Sequence, residues 1–166
     1  MKKLLCAIAM LAASASASAN LVTNGDFSAG GTGWTLSGNT GYASFGGYWK
    51  DGAVGSDAFL SQVIATIAGE TYSISFDTTV SWGSMTVALD GTQLLSTPTT
   101  GHVATSFIAA SDNATLSFIT RNDPGYNVLD NVVVDHVARA VPEPASLALL
   151  GLGLAGLGAL RRKRQG

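Results

Sequence analysis

Residues 71–91 read TYSISFDTTVSWGSMTVALDG and carry the clearest structural signal in the chain. In the first half, large or apolar side chains alternate with small polar ones, which is the period of two expected of a half-buried β-strand. The side chains on the first side are Tyr72, Ile74, Phe76, Thr78, Val80 and Trp82. Met85, Val87 and Leu89 resume the alternation before Asp90-Gly91, a favoured two-residue hairpin turn. The stretch therefore predicts antiparallel strands joined by tight turns.

Three further stretches have the composition of strands bounded by turn residues. They are SQVIATI at 61–67, ATLSFIT at 114–120 and VLDNVVVDHV at 128–137. Between the two ends of the chain, no ten-residue stretch shows a helical stripe of apolar residues. Several short strands with turn signals between them are typical of an all-β fold, either an antiparallel β-sandwich or a barrel.

The first 19 residues have the order of a secretory signal peptide. Lys2 and Lys3 precede an apolar run at 4–13 and a small-residue stretch that ends at Ala19. This order predicts export and cleavage after Ala19. Cys6, the only cysteine, lies in the removed segment, so the mature chain has neither a disulfide nor a thiol nucleophile.

The last 27 residues form a second sorting segment. Pro142-Glu143-Pro144 precede 16 uncharged, mostly apolar residues at 145–160. As a helix this run rises about 24 Å, which makes it a marginal transmembrane helix against a hydrocarbon core of about 30 Å. Four basic residues follow directly: Arg161, Arg162, Lys163 and Arg164. They favour a cytoplasmic C-terminus, with the rest of the chain outside the membrane.

The stretch VPEPASLALLGLGLAGLGALRRKR closely resembles the PEP-CTERM sorting tail, also known as an ice-binding-protein C-terminal motif. The resemblance implies transient anchoring in the inner membrane of a Gram-negative bacterium that makes exopolysaccharide. It also implies cleavage near Pro142-Glu143-Pro144 by a membrane enzyme, an exosortase. The product would then reach the cell surface or the extracellular matrix. A permanent single-pass anchor is the alternative interpretation.

Residues 20–139 remain as one domain of 120 residues, which is long enough for a single core. This segment has ten acidic and three basic residues, a net charge near −7. The charge argues against nucleic-acid binding, because phosphate neutralisation requires clustered Lys and Arg. An acidic exported domain could instead meet divalent cations.

The domain also resembles galactose-binding-like jelly-roll domains, a group that includes carbohydrate-binding modules. The resemblance rests on NLVTNGDFSAGGTGW, QVIATIAGETYSISFD, VALDG, ATLSFIT and VLDNVVV, which occur in this order. In that family, an acidic residue after the NGDF step commonly helps to hold a structural calcium ion, together with an Asp near the last strand. Here that position is Ser28, whereas Asp130 matches the second ligand. The resemblance thus implies a possible calcium held by Asp26 and Asp130. The alternative is that Asp26 caps a turn and Asp130 accepts backbone hydrogen bonds.

Five aromatic residues are candidates for stacking on sugar rings, because flat apolar faces beside polar groups suit pyranose rings. They are Tyr42, Tyr48, Trp49, Trp82 and Tyr126. The first three lie in a stretch rich in Gly and polar residues, and the other two lie next to Gly. Phe27 and Trp34 are expected in the core, and Trp82 could instead fill the sheet.

The sequence gives catalysis little support, since it contains no Gly-x-Ser-x-Gly, His-Glu-x-x-His or phosphate-binding glycine motif. The leading hypothesis is an exported domain that binds polysaccharide, such as the exopolysaccharide of a biofilm matrix. A structural or adhesive matrix protein without a defined sugar site is the second hypothesis. An extracellular glycan-degrading enzyme is the third and least favoured.

Overall fold

The computed structural model describes residues 19–41, 43–97 and 100–137, together with Gly153. Ten strands account for most of these residues. They are β1 (Thr35–Gly38), β2 (Ser44–Phe45), β3 (Trp49–Asp51), β4 (Ala58–Ala65), β5 (Thr71–Val80), β6 (Ser84–Leu89), β7 (Thr92–Thr97), β8 (Gly101–Ile108), β9 (Asn113–Arg121) and β10 (Asn127–His136). Within the described residues, no helix is both long and apolar enough to cross a membrane.

The strands form two five-stranded sheets that pack face to face. Sheet I has the order β1-β4-β9-β6-β7, and sheet II has the order β2-β3-β10-β5-β8. Every pairing is antiparallel. The predicted all-β antiparallel sandwich is therefore confirmed.

The alternation in residues 71–91 correctly predicts which side chains are buried, with one exception. Tyr72, Ile74, Phe76, Thr78 and Val80 of β5 are buried between the sheets, as are Met85, Val87 and Leu89 of β6. The Asp90-Gly91 turn joins β6 to β7, and both residues have positive φ, as a type I′ turn requires. Trp82 lies beyond the end of β5 and is exposed, so it does not fill the sheet.

The core contains side chains from both sheets and from the segment before β1. Phe27 and Trp34 are buried and stack with ring centroids 5.4 Å apart, which confirms their expected place. Gly25 is required beside them, because a Cβ atom there would clash with the carbonyl oxygen of Val132. The backbone of Gly25 instead accepts a 2.9 Å hydrogen bond from Val132 in β10.

The sandwich has two ends that differ in their loops, and β10 runs from one to the other. We call the end where β10 begins the aromatic end; it carries the turns at 52–57, 81–83 and 122–126. We call the other end the exit end, because the chain leaves it at Val137; it carries the turns at 66–70, 90–91 and 109–112. Residues 1–18 and the sorting segment, apart from Gly153, lie outside the described residues.

Candidate functional site

An open cleft of about 360 Å³ lies on the outer face of sheet II, in the half nearer the aromatic end. Its lining includes Tyr48, Asp77, Thr79, His102, Val128 and Asp130. The alternation of the strands explains this lining. Residues 77 and 79 of β5 point away from the core, because residues 76, 78 and 80 are buried.

Strand register places three polar residues of the cleft in one row. Asp130 of β10 lies opposite Asp77 of β5, and Asp77 lies opposite His102 of β8. Asp77 Oδ1 is 2.8 Å from Nδ1 of His102, and Asn131 Nδ2 donates a 2.9 Å hydrogen bond to Asp77 Oδ2. These contacts fix the orientation of the Asp77 carboxylate in the cleft.

The hydrogen bonds from Asn131 and then from His102 lower the pKa of Asp77 below its ordinary 3.8. Asn131 reaches Asp77 because β10 has a bulge between Asp130 and Val133, where Asn131 adopts a φ of 51°. Asp130 Oδ1 accepts the backbone N–H of Asn131 at 2.7 Å. The cleft therefore presents oriented carboxylate acceptors, and that of Asp77 is ionised at neutral pH.

Tyr48 and Trp49 are neighbours in sequence but have opposite environments. Tyr48 is 42% exposed and lines the cleft. Trp49 begins β3 with its side chain turned inward and has no exposed surface, so it cannot stack on a sugar from solvent. The expectation that Trp49 binds ligand is therefore wrong. The Gly-rich context suggested a loop, whereas pairing of β3 with β10 turns this side chain into the core.

Tyr126 and Trp82 are exposed at the aromatic end, beside the cleft. Tyr126 lies with Val54 around a second, smaller cavity of about 240 Å³. The Lys50 ammonium sits 4.0 Å from the centre of the Tyr126 ring, a cation–π contact that steadies this ring. Trp82 is 66% exposed. These positions leave both side chains accessible, and their role in ligand binding stays a prediction. Tyr42, the remaining candidate, lies outside the described residues.

A buried polar cluster supports the aromatic end from inside. The Asp51 carboxylate, fully buried, accepts hydrogen bonds from Thr120 Oγ1 at 2.7 Å and from the backbone N–H of Ala53 at 3.0 Å. The first bond joins β3 of sheet II to β9 of sheet I. The side-chain amide of Asn122 donates to Asn127 Oδ1 at 2.8 Å. Asn122 and Asn127 thus fix both ends of the turn that carries Tyr126.

Asp26 and Asp130, the predicted calcium ligands, line different cavities. Asp26 Oδ1 accepts hydrogen bonds from the backbone N–H and the hydroxyl of Ser28, and the backbone bond is the larger cause of its lowered pKa. Asp26 therefore caps a turn. Among the described residues, no three His, Cys, Asp or Glu side chains converge as a metal site. A calcium ion shared by these two carboxylates stays a prediction.

Asp77, Thr79 and His102 were not singled out by the sequence. Alternation along 71–82 does place the first two on the polar side of β5, so that signal was available. The pairing with His102 depends on the register between β5 and β8, which are separated by a hairpin. No local pattern in the sequence shows this contact.

Comparison with known proteins identifies the sorting segment and the fold. Residues 140–164 match the family described as PEP-CTERM protein-sorting motif. No curated protein matches the chain. The Pro142-Glu143-Pro144 step and the basic run 161–164 lie within the matched residues.

Similar solved structures include several carbohydrate-binding modules. TmCBM61, solved with beta-1,4-galactotriose, is 16% identical, with a TM-score of 0.53 over 72% of this chain and 100% of that chain. The N-terminal cellulose-binding domain of Cellulomonas fimi beta-1,4-glucanase C is 21% identical, with a TM-score of 0.50 over 73% of this chain and 99% of that chain.

A third similar structure is the enzymatically active domain of bacteriophage CBA120 tailspike protein 4, which is 17% identical with a TM-score of 0.56. The match covers 71% of this chain but only 21% of the tailspike chain. The protein thus joins a PEP-CTERM sorting motif, which implies an exosortase-sorted exported protein of a Gram-negative bacterium, to the jelly-roll β-sandwich fold of carbohydrate-binding modules.

Proposed function

We propose that this protein binds polysaccharide through the cleft on sheet II and holds it at the cell surface or in the extracellular matrix. The observation that carries the proposal is the cleft itself, in which the exposed Tyr48 ring lies near the oriented carboxylate of Asp77. Aromatic faces and a few fixed polar groups are what sugar recognition requires. An exported, sorted chain would meet such polymers where it is delivered.

The open shape of the cleft supports binding within a chain of sugars rather than enclosure of a single one. Thr79, His102 and Asp130 add hydroxyl, imidazole and carboxylate groups along its floor. Tyr126 and Trp82 would extend the aromatic surface toward the aromatic end. We propose binding without hydrolysis, and a sensitive assay for released sugars on long incubation tests this part directly.

The full chain, purified in detergent, is titrated with β-1,4-galactan oligosaccharides, cello-oligosaccharides and the exopolysaccharide of the producing bacterium. We expect saturable binding to at least one of them. Tyr48→Ala should weaken it about tenfold or more, because the stacking face is removed.

Ile108→Ala, a change at an exposed side chain of the exit end, is the matched control and should bind like the parent chain. Each titration is run with calcium and with a chelator, since a shared calcium ion would make binding depend on the metal. Absence of binding by a folded chain would overturn the proposal and favour a structural or adhesive matrix protein. Binding by Tyr48→Ala that equals that of the parent chain would place the binding surface elsewhere.

A further inference from the structure

The exit end carries exposed aliphatic side chains next to the point where the chain leaves the sandwich. We define the exit patch as Ile67, Ile108 and Val137, which are 60%, 68% and 43% exposed. Among the described residues, aromatic residues predominate in the exposed large apolar side chains of the cleft and aromatic end, whereas those of the exit end are aliphatic. The two ends therefore differ in the kind of surface that they can contact.

Backbone contacts bring the three residues of the exit patch to one corner of sheet II. Thr71 pairs with Ile108 in the ladder of β5 and β8, and the carbonyl of Thr71 accepts a 2.9 Å hydrogen bond from the N–H of Val137. Ile67 lies in the turn that leads into β5, where the phenol oxygen of Tyr72 accepts its backbone N–H. Thr71 thus lies between Ile108 and Val137, with Ile67 four residues before it.

Three titratable side chains around the exit patch have partners within the protein. Glu70 and His136 lie 3.3 Å apart, and Asp112 Oδ1 accepts the backbone N–H of Ala68 at 3.1 Å. Asp135 is the remaining carboxylate on this part of β10. Contact of the patch with an apolar phase therefore leaves these existing pairs in place.

The length of the segment after Val137 limits which surfaces the exit patch can contact. Seven residues, 138–144, separate Val137 from the apolar run that begins at Ala145. Even fully extended, at about 3.5 Å per residue, they hold the patch within about 25–30 Å of that run. We infer that, before the tail is cut, the exit patch rests on the surface of the lipid bilayer that holds residues 145–160.

The short tether makes a small patch sufficient for this contact. A linker of this length gives an effective concentration in the millimolar range, so weak apolar contacts become populated. Aliphatic side chains can enter the boundary between headgroups and acyl chains. In this orientation the Asn127 end of β10 lies farther from the membrane than its His136 end, so the cleft and the aromatic end face away from the membrane.

The test uses the full chain with Cys6→Ser, reconstituted in phosphatidylcholine vesicles through residues 145–160. A single environment-sensitive fluorophore is placed at Ile108→Cys or, as the matched control, at Val54→Cys, which is 53% exposed at the aromatic end. Nitroxide-labelled lipid should quench the label at 108 several-fold more strongly than the label at 54. Equal quenching at both positions would overturn the inference.

Two further outcomes would also overturn it. Failure of the chain to float with the vesicles would remove the tether on which the inference depends. A blue shift at 108 without lipid quenching would indicate that a second copy or another protein surface covers the patch.

An independent variant carries the label at Val137→Cys together with Ile67→Ser and Ile108→Ser. Nitroxide-labelled lipid should quench this label less than it quenches the same label in a chain with Val137→Cys alone. Polysaccharide binding should be unchanged in that variant, which separates this inference from the proposed function.

Discussion

The two ends of the sandwich are built from the same strands but present different surfaces. At the aromatic end, the exposed Trp82 and Tyr126 lie on turns next to a cleft with hydrogen-bonded carboxylates. At the exit end, the exposed apolar groups are the aliphatic side chains of the exit patch. The first surface is the one that we propose for sugars, and the second is the one that we propose for lipid.

The support behind the two ends also differs. A buried cluster around Asp51, Asn122 and Asn127 connects the strands and the turn at the aromatic end. At the exit end, one side-chain bond, from the N–H of Ala68 to Asp112, is exposed to solvent. Buried hydrogen bonds are harder to lose, because the partner left behind has no water to replace them. Mutations at the two ends should therefore have unequal effects on stability.

The largest expected effect is that of Trp49→Ala, which removes a fully buried side chain from the core. The free energy of unfolding should fall by about 3–5 kcal/mol, through lost burial and the cavity left behind. Tyr48→Ala, one residue earlier and exposed, should change it by about 0.5 kcal/mol or less. Urea unfolding of the two variants measures the difference. Similar losses would contradict the assignment of one residue to the core and the other to the cleft.

Asp51→Ala should come next, with a loss of about 2–4 kcal/mol, because Thr120 and Ala53 are left with buried donors that lack an acceptor. Asp112→Ala is the matched change at the exit end and should cost about 1 kcal/mol or less. Thermal or urea unfolding of both variants compares the ends directly. If Asp112→Ala proved the more damaging, the contrast in their support would be wrong.

The smallest effect concerns pH. Hydrogen bonds from Asn131 and His102 lower the pKa of Asp77, so the ionised carboxylate stabilises the folded chain above pH 3.8. That contribution is lost as the pH falls through the lowered folded-state pKa. Because the Asp77 side chain is 44% exposed, the contribution should amount to less than about 1 kcal/mol. Relative to Asp77→Asn, the parent chain should be more stable at pH 7, and this difference should shrink as the pH is lowered below 3.8. A difference that does not change with pH would exclude the ionised carboxylate as its source.

Much of the fold could be predicted from the sequence, because its long strands alternate clearly. The apolar alternation of β5 and β6 and the Asp90-Gly91 turn are local signals that the structure confirms. The short strands β1, β2 and β3 contain only two to four residues, too few for a period to be visible. Strand β8 shows no clear alternation, because it is an edge strand with mostly exposed side chains, so its two faces differ little in polarity.

The candidate site was less accessible to sequence reasoning, because it depends on register between distant strands. Tyr48 could be proposed from its type and its Gly-rich surroundings, but the same argument placed Trp49 on the surface, where it does not lie. The contacts of Asp77 with His102 and Asn131 join residues 25 and 54 positions apart. Such pairs follow from the order of strands in sheet II, which no local pattern specifies.

Hydrogen–deuterium exchange of the full chain, with and without the tightest-binding oligosaccharide of the titrations, tests the central claim most directly. We predict slower exchange in residues 44–51, 77–80, 100–103 and 127–130, which form or adjoin the cleft. Residues 66–71 and 108–112, at the exit end, should exchange as before. Protection confined to the exit end, or no protection in the cleft strands at saturating ligand, would contradict the claim that sheet II carries the polysaccharide site.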